Sequence, residues 1–265
     1  MKHIISNYYS KLPKLAGSRL AFLIVITGIC LRLIQYLFNR SLWWDESLLA
    51  LNIINTPLEK LFEPLAHNQA APPGFLFLER FWVWALNAHE YALRLVPLLA
   101  GLASLYLFLK LARNWLSQKA YVLALLFFAF SYHLIYYSAE VKQYSLDVFI
   151  ALLLYYLFGK WISGQHPKRA LFLLSLAGGL TVWFSHPGIF ILSGLGLYAL
   201  IHHLRQHDYR RLFAFIIPGA IWLLSFGLVY FLVLDRASAS TALNIYWDEA
   251  FLPFPPSSLA DLKQA

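Results

Sequence analysis

Six apolar stretches decide what this chain can become. They lie at about 20–38, 91–112, 119–138, 145–162, 169–204 and 210–234. The hydrocarbon core of a bilayer asks for about 20 consecutive apolar residues in a helix, and each stretch is near or beyond that length. The fifth is too long for one straight span. It contains Ser185, His186, Pro187 and Gly188 in succession, and proline followed by glycine interrupts a helix. It therefore reads as two spans. The fold class expected is all-α integral membrane, with about seven transmembrane helices in a single membrane domain over 1–265.

Composition agrees. Hydrophobic residues are 60% of the 265 and charged ones 13%, against about 45–50% and 25% in soluble domains. The net charge of +8 does not indicate nucleic acid, because the basic residues are spread between apolar runs with no stripe of interleaved aromatics. The single cysteine, Cys30, excludes an intrachain disulfide. No small-x-small cleavage site follows the basic start, and the first run continues apolar past Arg32, so it reads as a retained helix that also targets the chain.

Residues 73–87 are ambiguous: apolar but short, with Glu79 and Arg80 at the centre. Charge decides. If this stretch lies along the interface as an amphipathic helix and the N-terminus is cytoplasmic, Lys110, Arg113 and Lys119 fall inside. Lys160, Lys168, Arg169, Arg205, Arg210 and Arg211 fall there too, as the positive-inside rule asks. Were it a span, the clusters at 110–119 and 160–169 would move outside. The same topology places every acid but Asp208 on the outer side. Acids weigh little in setting topology, so their gathering has another cause, either function or a plain solvated loop.

Three outer segments carry candidate chemistry. The first, 39–90, begins with Trp43, Trp44, Asp45 and Glu46, and continues through His67, Asn68, Gln69 and the Ala-Pro-Pro-Gly run at 71–74. Two adjacent carboxylates can hold a divalent cation or accept a proton from a nucleophile. A helix start explains them as well, since acids favour the positive end of the helix dipole. The tryptophans read as interface anchors. The second segment presents Glu140, Lys142 and Tyr144 at the mouth of a span. An ammonium beside a tyrosine hydroxyl suits a phosphate; ordinary loop charge with belt tyrosines suits the same residues. The third is the turn at His186, a metal ligand, a phosphate partner or a structural histidine. No nucleotide-binding loop or zinc-hydrolase motif occurs in the sequence.

In order and spacing these segments resemble the GT-C superfamily of membrane glycosyltransferases, with its protein O-mannosyltransferases and lipid A aminoarabinose transferases. The pattern is a basic N-terminus and first span, LWWDE at 42–46, APPG at 71–74, EYALRLVPLLAGL at 90–102, YYSAEVKQYSLD at 136–147 and the outer-turn His186. It covers about 20–250. The resemblance implies a seven-span module with interfacial helices in the first outer loop. It implies transfer of one sugar, with inversion, from a polyprenyl-phosphate carrier to a hydroxyl-type acceptor (lipid, glycan or protein) at the outer face of the plasma membrane. By carry-over, Asp45 is the catalytic base or metal-side carboxylate and Glu46 supports it. Glu140, Lys142 and Tyr144 form the second group, at the carrier phosphate. Arg94, His186 and Gln69 are substrate-side candidates.

Two departures stand out. Ala70 and Ala71 stand where some relatives carry an acid or histidine before the proline pair, which leaves a divalent cation an open cofactor, with Gln69 or His67 as substitutes. The chain also stops inside a second outer loop that begins near 235, as a fragment or a minimal member would. The rival readings are a transporter, which would place ionisable residues at mid-membrane depth, and a non-catalytic assembly subunit.

Overall fold

The computed structural model describes residues 16–235. Lys2, Lys11 and Lys14 of the basic start, and the loop opening past 235, lie outside them. Eleven helices follow in order: α1 (Ala16–Phe38), α2 (Trp44–Asn55), α3 (Pro73–Leu86), α4 (Glu90–Leu93), α5 (Leu95–Trp115), α6 (Gln118–Phe130), α7 (Tyr132–Tyr136), α8 (Tyr144–Ile162), α9 (Pro167–Phe184), α10 (Gly188–Arg205) and α11 (Tyr209–Val229). No strand occurs among the described residues.

A helix stands at each of the seven expected runs, yet they are not equivalent. Five are long and apolar enough to cross a membrane: Arg19–Phe38, Leu95–Trp115, Tyr144–Ile162, Gly188–Arg205 and Tyr209–Leu234. A sixth arises if α6 and the bent continuation Tyr132–Ala139, 52° off its axis, count as one span. The exception is α9. It opens with Pro167, Lys168 and Arg169, leaving only 170–184 apolar, which at 1.5 Å per residue rises about 22 Å against a core of about 30 Å. Its residues Leu174, Ser175, Gly178, Gly179 and Val182 are buried, because α9 packs between α8 and α11. Gly178 permits that approach: a Cβ there would overlap the Trp222 indole. The 169–204 run breaks, as expected, at Ser185–Pro187.

The first inter-span segment, between α1 and α5, carries helices α2 and α3. Pro72 and Pro73 open α3, where a missing N–H costs nothing. One face exposes Phe81 and Trp84. The other buries Phe75, Leu76, Glu79 and Val83. Gly74 seats this helix on the end of α9, where a Cβ would stand 2.7 Å from both the Trp183 carbonyl and the Phe184 ring. Arg80, at the centre of α3, donates from Nη1 to the carbonyls of Ile53 (2.8 Å) and Ile54. It thereby satisfies free C=O groups in the last turn of α2. Glu79 has no such partner: it is fully buried and neither carboxyl oxygen is hydrogen-bonded. Burial alone holds its pKa well above the usual carboxylate value.

Arg32, the one basic residue in the interior of an expected span rather than near its ends, is buried and committed. Its Nη1 donates to the Gly28 carbonyl (2.9 Å) and to the Ala129 carbonyl (3.1 Å) at the end of α6. The break after Phe130 frees carbonyls with no water at hand, and a side chain of a neighbouring helix takes one up. A transporter would place ionisable residues at mid-membrane depth; Arg32, in the interior of a span, is occupied as a helix cap.

Candidate active site

Successive long helices alternate direction, so two sets of termini gather at opposite ends of the bundle. One set carries Lys110, Arg113, Lys119, Lys160, Lys168, Arg169, Arg205, Arg210 and Arg211. The other carries the α1–α2 junction, α2 to α4, the 137–143 turn and the α9–α10 turn. All eight candidate residues lie at this second end.

Glu46 is its centre. Asp45 and Glu46 occupy the first turn of α2, so the helix-start reading holds for the backbone, but the side chains do more. The Glu46 carboxylate is wholly buried. It accepts from Arg94 Nη2 at 3.3 and 3.4 Å, from the Val141 N–H at 2.9 Å and from the Trp43 N–H at 3.3 Å. Arg40 Nη2 adds an ion pair at 3.1 Å. Arg94, at the break between α4 and α5, is itself 1% exposed. Its Nη1 holds Asn39 Oδ1 (3.2 Å) and the Arg40 carbonyl (2.7 Å). One carboxylate and one guanidinium thus join three segments distant in sequence, 39–46, Arg94 and Val141.

This junction fixes Lys142, the residue after Val141, opposite Asp45, the residue before Glu46. Lys142 Nζ stands 2.6 Å from Asp45 Oδ2 and donates to Gln69 Oε1 at 3.0 Å, while Gln69 Nε2 donates to Asp45 Oδ1 at 2.9 Å. The three side chains close a ring. Lys142 is 6% exposed, whereas about a third of the Asp45 side chain faces outward. Burial works against ionisation of Asp45, but the bonds from Lys142 and Gln69 outweigh it and hold its pKa below the usual value. Gln69 reaches the ring because Asn52, buried on α2, pins the loop before it. Asn52 accepts from the Ala66 N–H (2.8 Å) and donates to the Ala66 carbonyl (3.1 Å). His67 and Asn68 then take left-handed backbone at φ 60° and 55°, a conformation uncommon outside glycine, and turn the chain inward.

Glu140 lies beside the ring, 1% exposed. Its Oε1 accepts from the Trp43 indole N–H at 2.6 Å, and its Oε2 has no partner. Burial raises its pKa; the Trp43 bond lowers it in part, and the nearby Glu46 charge raises it again. Trp43 is thus a ligand of Glu140 as well as an exposed aromatic. Tyr144, 40% exposed, packs its ring edge-on against Tyr137 at 4.8 Å.

The structure therefore brings Asp45, Glu46, Gln69, Arg94, Glu140 and Lys142 into one network, with Tyr144 at its edge. His186 is not joined to it by any hydrogen bond; it sits in the α9–α10 turn with Nε2 buried and unpartnered. Sequence reading missed Arg40, Trp43 and Asn52. An arginine next to a span end and an asparagine inside an amphipathic helix carry no distinguishing pattern. As the side chains stand, no group of three or more His, Cys, Asp or Glu among the described residues is placed to hold a metal ion, and the Lys142 ammonium lies against Asp45 Oδ2. His67 is exposed and points to no cluster.

No curated protein and no solved structure matches the chain significantly. The family model described as dolichyl-phosphate-mannose-protein mannosyltransferase matches residues 70–235, which includes Arg94, Glu140, Lys142, Tyr144 and His186 and begins after Asp45 and Glu46. A match over most of the chain, on an all-α bundle of membrane-crossing helices, places this protein in the dolichyl-phosphate-mannose-protein mannosyltransferase family of GT-C membrane glycosyltransferases.

Proposed function

We propose that the chain transfers a single sugar from a polyprenyl-phosphate carrier to a hydroxyl-type acceptor, with inversion, at the outer face of the plasma membrane. The observation that carries this reading is the Asp45–Lys142–Gln69 ring. It sets a half-open carboxylate against a buried ammonium at the end of the bundle opposite the basic loops. Nine lysines and arginines mark that opposite end as cytoplasmic under the positive-inside rule.

The chemistry needs two groups. An acceptor hydroxyl must lose its proton as its oxygen attacks the anomeric carbon, and Asp45 is the base. The bond from that carbon to the phosphate oxygen breaks, and its electron pair leaves on the polyprenyl phosphate. That anion needs charge stabilisation more than a proton, and Lys142 supplies it by charge-assisted hydrogen bonding. A single displacement of this kind inverts the anomeric centre. Lys142 cannot serve Asp45 and a phosphate equally. A carrier phosphate that draws Lys142 away removes the bond that depresses Asp45 basicity, so donor binding readies the base. Gln69, hydrogen-bonded to both, holds Asp45 during the exchange. Glu46 and Arg94 are positioning residues: enclosed by their partners, they set the two chain segments that carry Asp45 and Lys142. Glu140 and Tyr144 line the carrier side.

Binding of labelled polyprenyl phosphate to the purified chain in nanodiscs tests this. Saturable binding is expected, weakened at least about tenfold by Lys142→Ala, the order of one charge-assisted bond. Lys142→Arg should restore it only in part, because a fork does not reproduce a point charge. Equal affinity of parent and Lys142→Ala would remove Lys142 from the site.

A further inference from the structure

Inside the bundle is a small polar cavity that shares no residue with the ring. Arg32 on α1, Gly101 and Ser104 on α5 and Ser145 on α8 line it, with Phe128 and Leu134 as apolar walls. Its volume, taken for a water-sized sphere, is about 10 Å³, enough for one such particle. Gly101 lets the neighbouring groups close in. A Cβ there would stand 2.8 Å from Ser138 Cβ, in the turn that carries Glu140 and Lys142, and 3.7 Å from Arg32 Nε. Arg32 is 1% exposed. Its Nη1 is spent on the Gly28 and Ala129 carbonyls, whereas Nε is shielded from solvent and has no hydrogen-bond partner. The Ser145 side chain makes no hydrogen bond among the described residues either.

Charge selects what this cavity takes. No carboxylate among the described residues forms an ion pair with Arg32. The Ala129 carbonyl belongs to the C-terminal end of α6, which carries about half a negative charge. Ser145 is the second residue of the 19-residue α8. The first N–H groups of a helix have no carbonyl within it to bond, and that end carries about half a positive charge. The two helix ends offset one another, and the full charge of the guanidinium remains. It cannot be shed by deprotonation, and an ion held away from water without a counter-charge is strongly disfavoured. A water would take up the hydrogen bonds but leave the charge. A metal cation would be repelled, and a phosphate or sulfate ion exceeds the space. Arg32 Nε–H and the Ser145 hydroxyl are both free donors; the Ser104 hydroxyl already donates to the Ala100 carbonyl at 2.7 Å. A monoatomic anion fits the space, the donors and the charge together.

We infer that this cavity binds a single halide ion, chloride being the abundant one, held by Arg32 Nε–H and the Ser145 hydroxyl at the start of α8. The ion ties α1 to the helix that follows Lys142. It steadies the turn that carries Glu140 and Lys142 without touching the reacting groups. The inference stands on the cavity, its donors and its charge, and does not depend on the sugar transfer proposed above.

Thermal unfolding of the purified full chain in detergent tests this, with chloride exchanged for gluconate, too large for the cavity, at constant sodium and pH. Chloride should raise the unfolding temperature along a saturable curve, as a ligand of the folded state does, and bromide should replace it. Ser145→Ala should raise the chloride concentration of half-effect at least about tenfold, the order of one hydrogen bond to a charged group. Its unfolding temperature in gluconate should match the parent's, because the Ser145 hydroxyl bonds nothing else in the fold. Arg32→Met should abolish the chloride response; if that variant does not fold, Ser145→Ala still decides. Equal unfolding temperatures of the parent in chloride and gluconate would overturn the site and leave water as its occupant. A chloride response of the same strength in Ser145→Ala as in the parent would place the ion elsewhere, at the basic loops, and overturn it as well.

Discussion

The Glu46–Arg94 pair offers the most exacting test of how the site is held. Glu46→Gln keeps the shape and one acceptor oxygen but removes the charge. Arg94 is almost fully enclosed and takes its contacts for Nη2 from Glu46 alone. Removing one partner of a buried ion pair leaves an uncompensated charge and costs about 3–5 kcal/mol. Arg40, with 22% of its side chain exposed, adds little, because partly solvated pairs are worth under about 1 kcal/mol. The expected loss for Glu46→Gln is therefore about 3–5 kcal/mol, a large share of the 5–15 kcal/mol typical of folded chains. Arg94→Met should cost a similar amount. Together they should cost less than their sum by about 1–3 kcal/mol, the usual coupling of residues in contact. Equilibrium unfolding in mixed micelles, followed by circular dichroism, measures all three variants. A loss under about 0.5 kcal/mol for Glu46→Gln, the level of an ordinary surface change, would refute the reasoning. Strict additivity of the two substitutions would refute it as well.

Two further outcomes concern the frame around the site. Glu79 has a folded pKa well above its unfolded one, so its protonated form favours the fold. Its contribution is complete below about pH 4 and is lost as pH rises through the folded pKa; Glu79→Leu should raise neutral-pH stability by about 1–3 kcal/mol and flatten the pH profile of thermal unfolding, and an unchanged profile would mean that the carboxyl is solvated. Gly178→Ala should lower stability by about 1–3 kcal/mol, the scale of overpacking, because the added methyl meets the Trp222 indole; restoration by Gly178→Ala combined with Trp222→Phe would assign the loss to that overlap.

Much of this was legible in the sequence because bilayer thickness is a hard constraint. Apolar length located the helices, and the Pro187–Gly188 pair located the break between α9 and α10. The α9 shortfall was harder to see: its run merges with α10, and only the structure separates the Lys168–Arg169 turn from the 15 apolar residues that follow. At the site, adjacent acids and a lysine in a tyrosine-rich segment made Asp45, Glu46, Glu140 and Lys142 candidates beside a helix start and ordinary loop charge, and only the family resemblance gave them roles. Their division of labour was not visible. Asp45 and Glu46 are neighbours in sequence, yet one is half-open and the other enclosed, because a helix turns successive side chains by about 100°. Arg94 and Asn52 act through long-range contacts, which periodicity does not encode.

The central claim is that Asp45 is the base of sugar transfer from a polyprenyl-phosphate carrier. Release of bare polyprenyl phosphate from the sugar-labelled carrier, in membranes from cells making the parent or Asp45→Asn, measures it most directly. Polyprenyl phosphates bearing mannose, glucose or aminoarabinose serve in turn as donor, and the variant's amount in the membrane and its affinity for bare carrier are determined alongside. The account predicts release by the parent and a fall of at least about 10²-fold for Asp45→Asn, the low end for loss of a general base, with the chain still folded. Undiminished release by Asp45→Asn would contradict it and return Asp45 to the role of a helix-start residue.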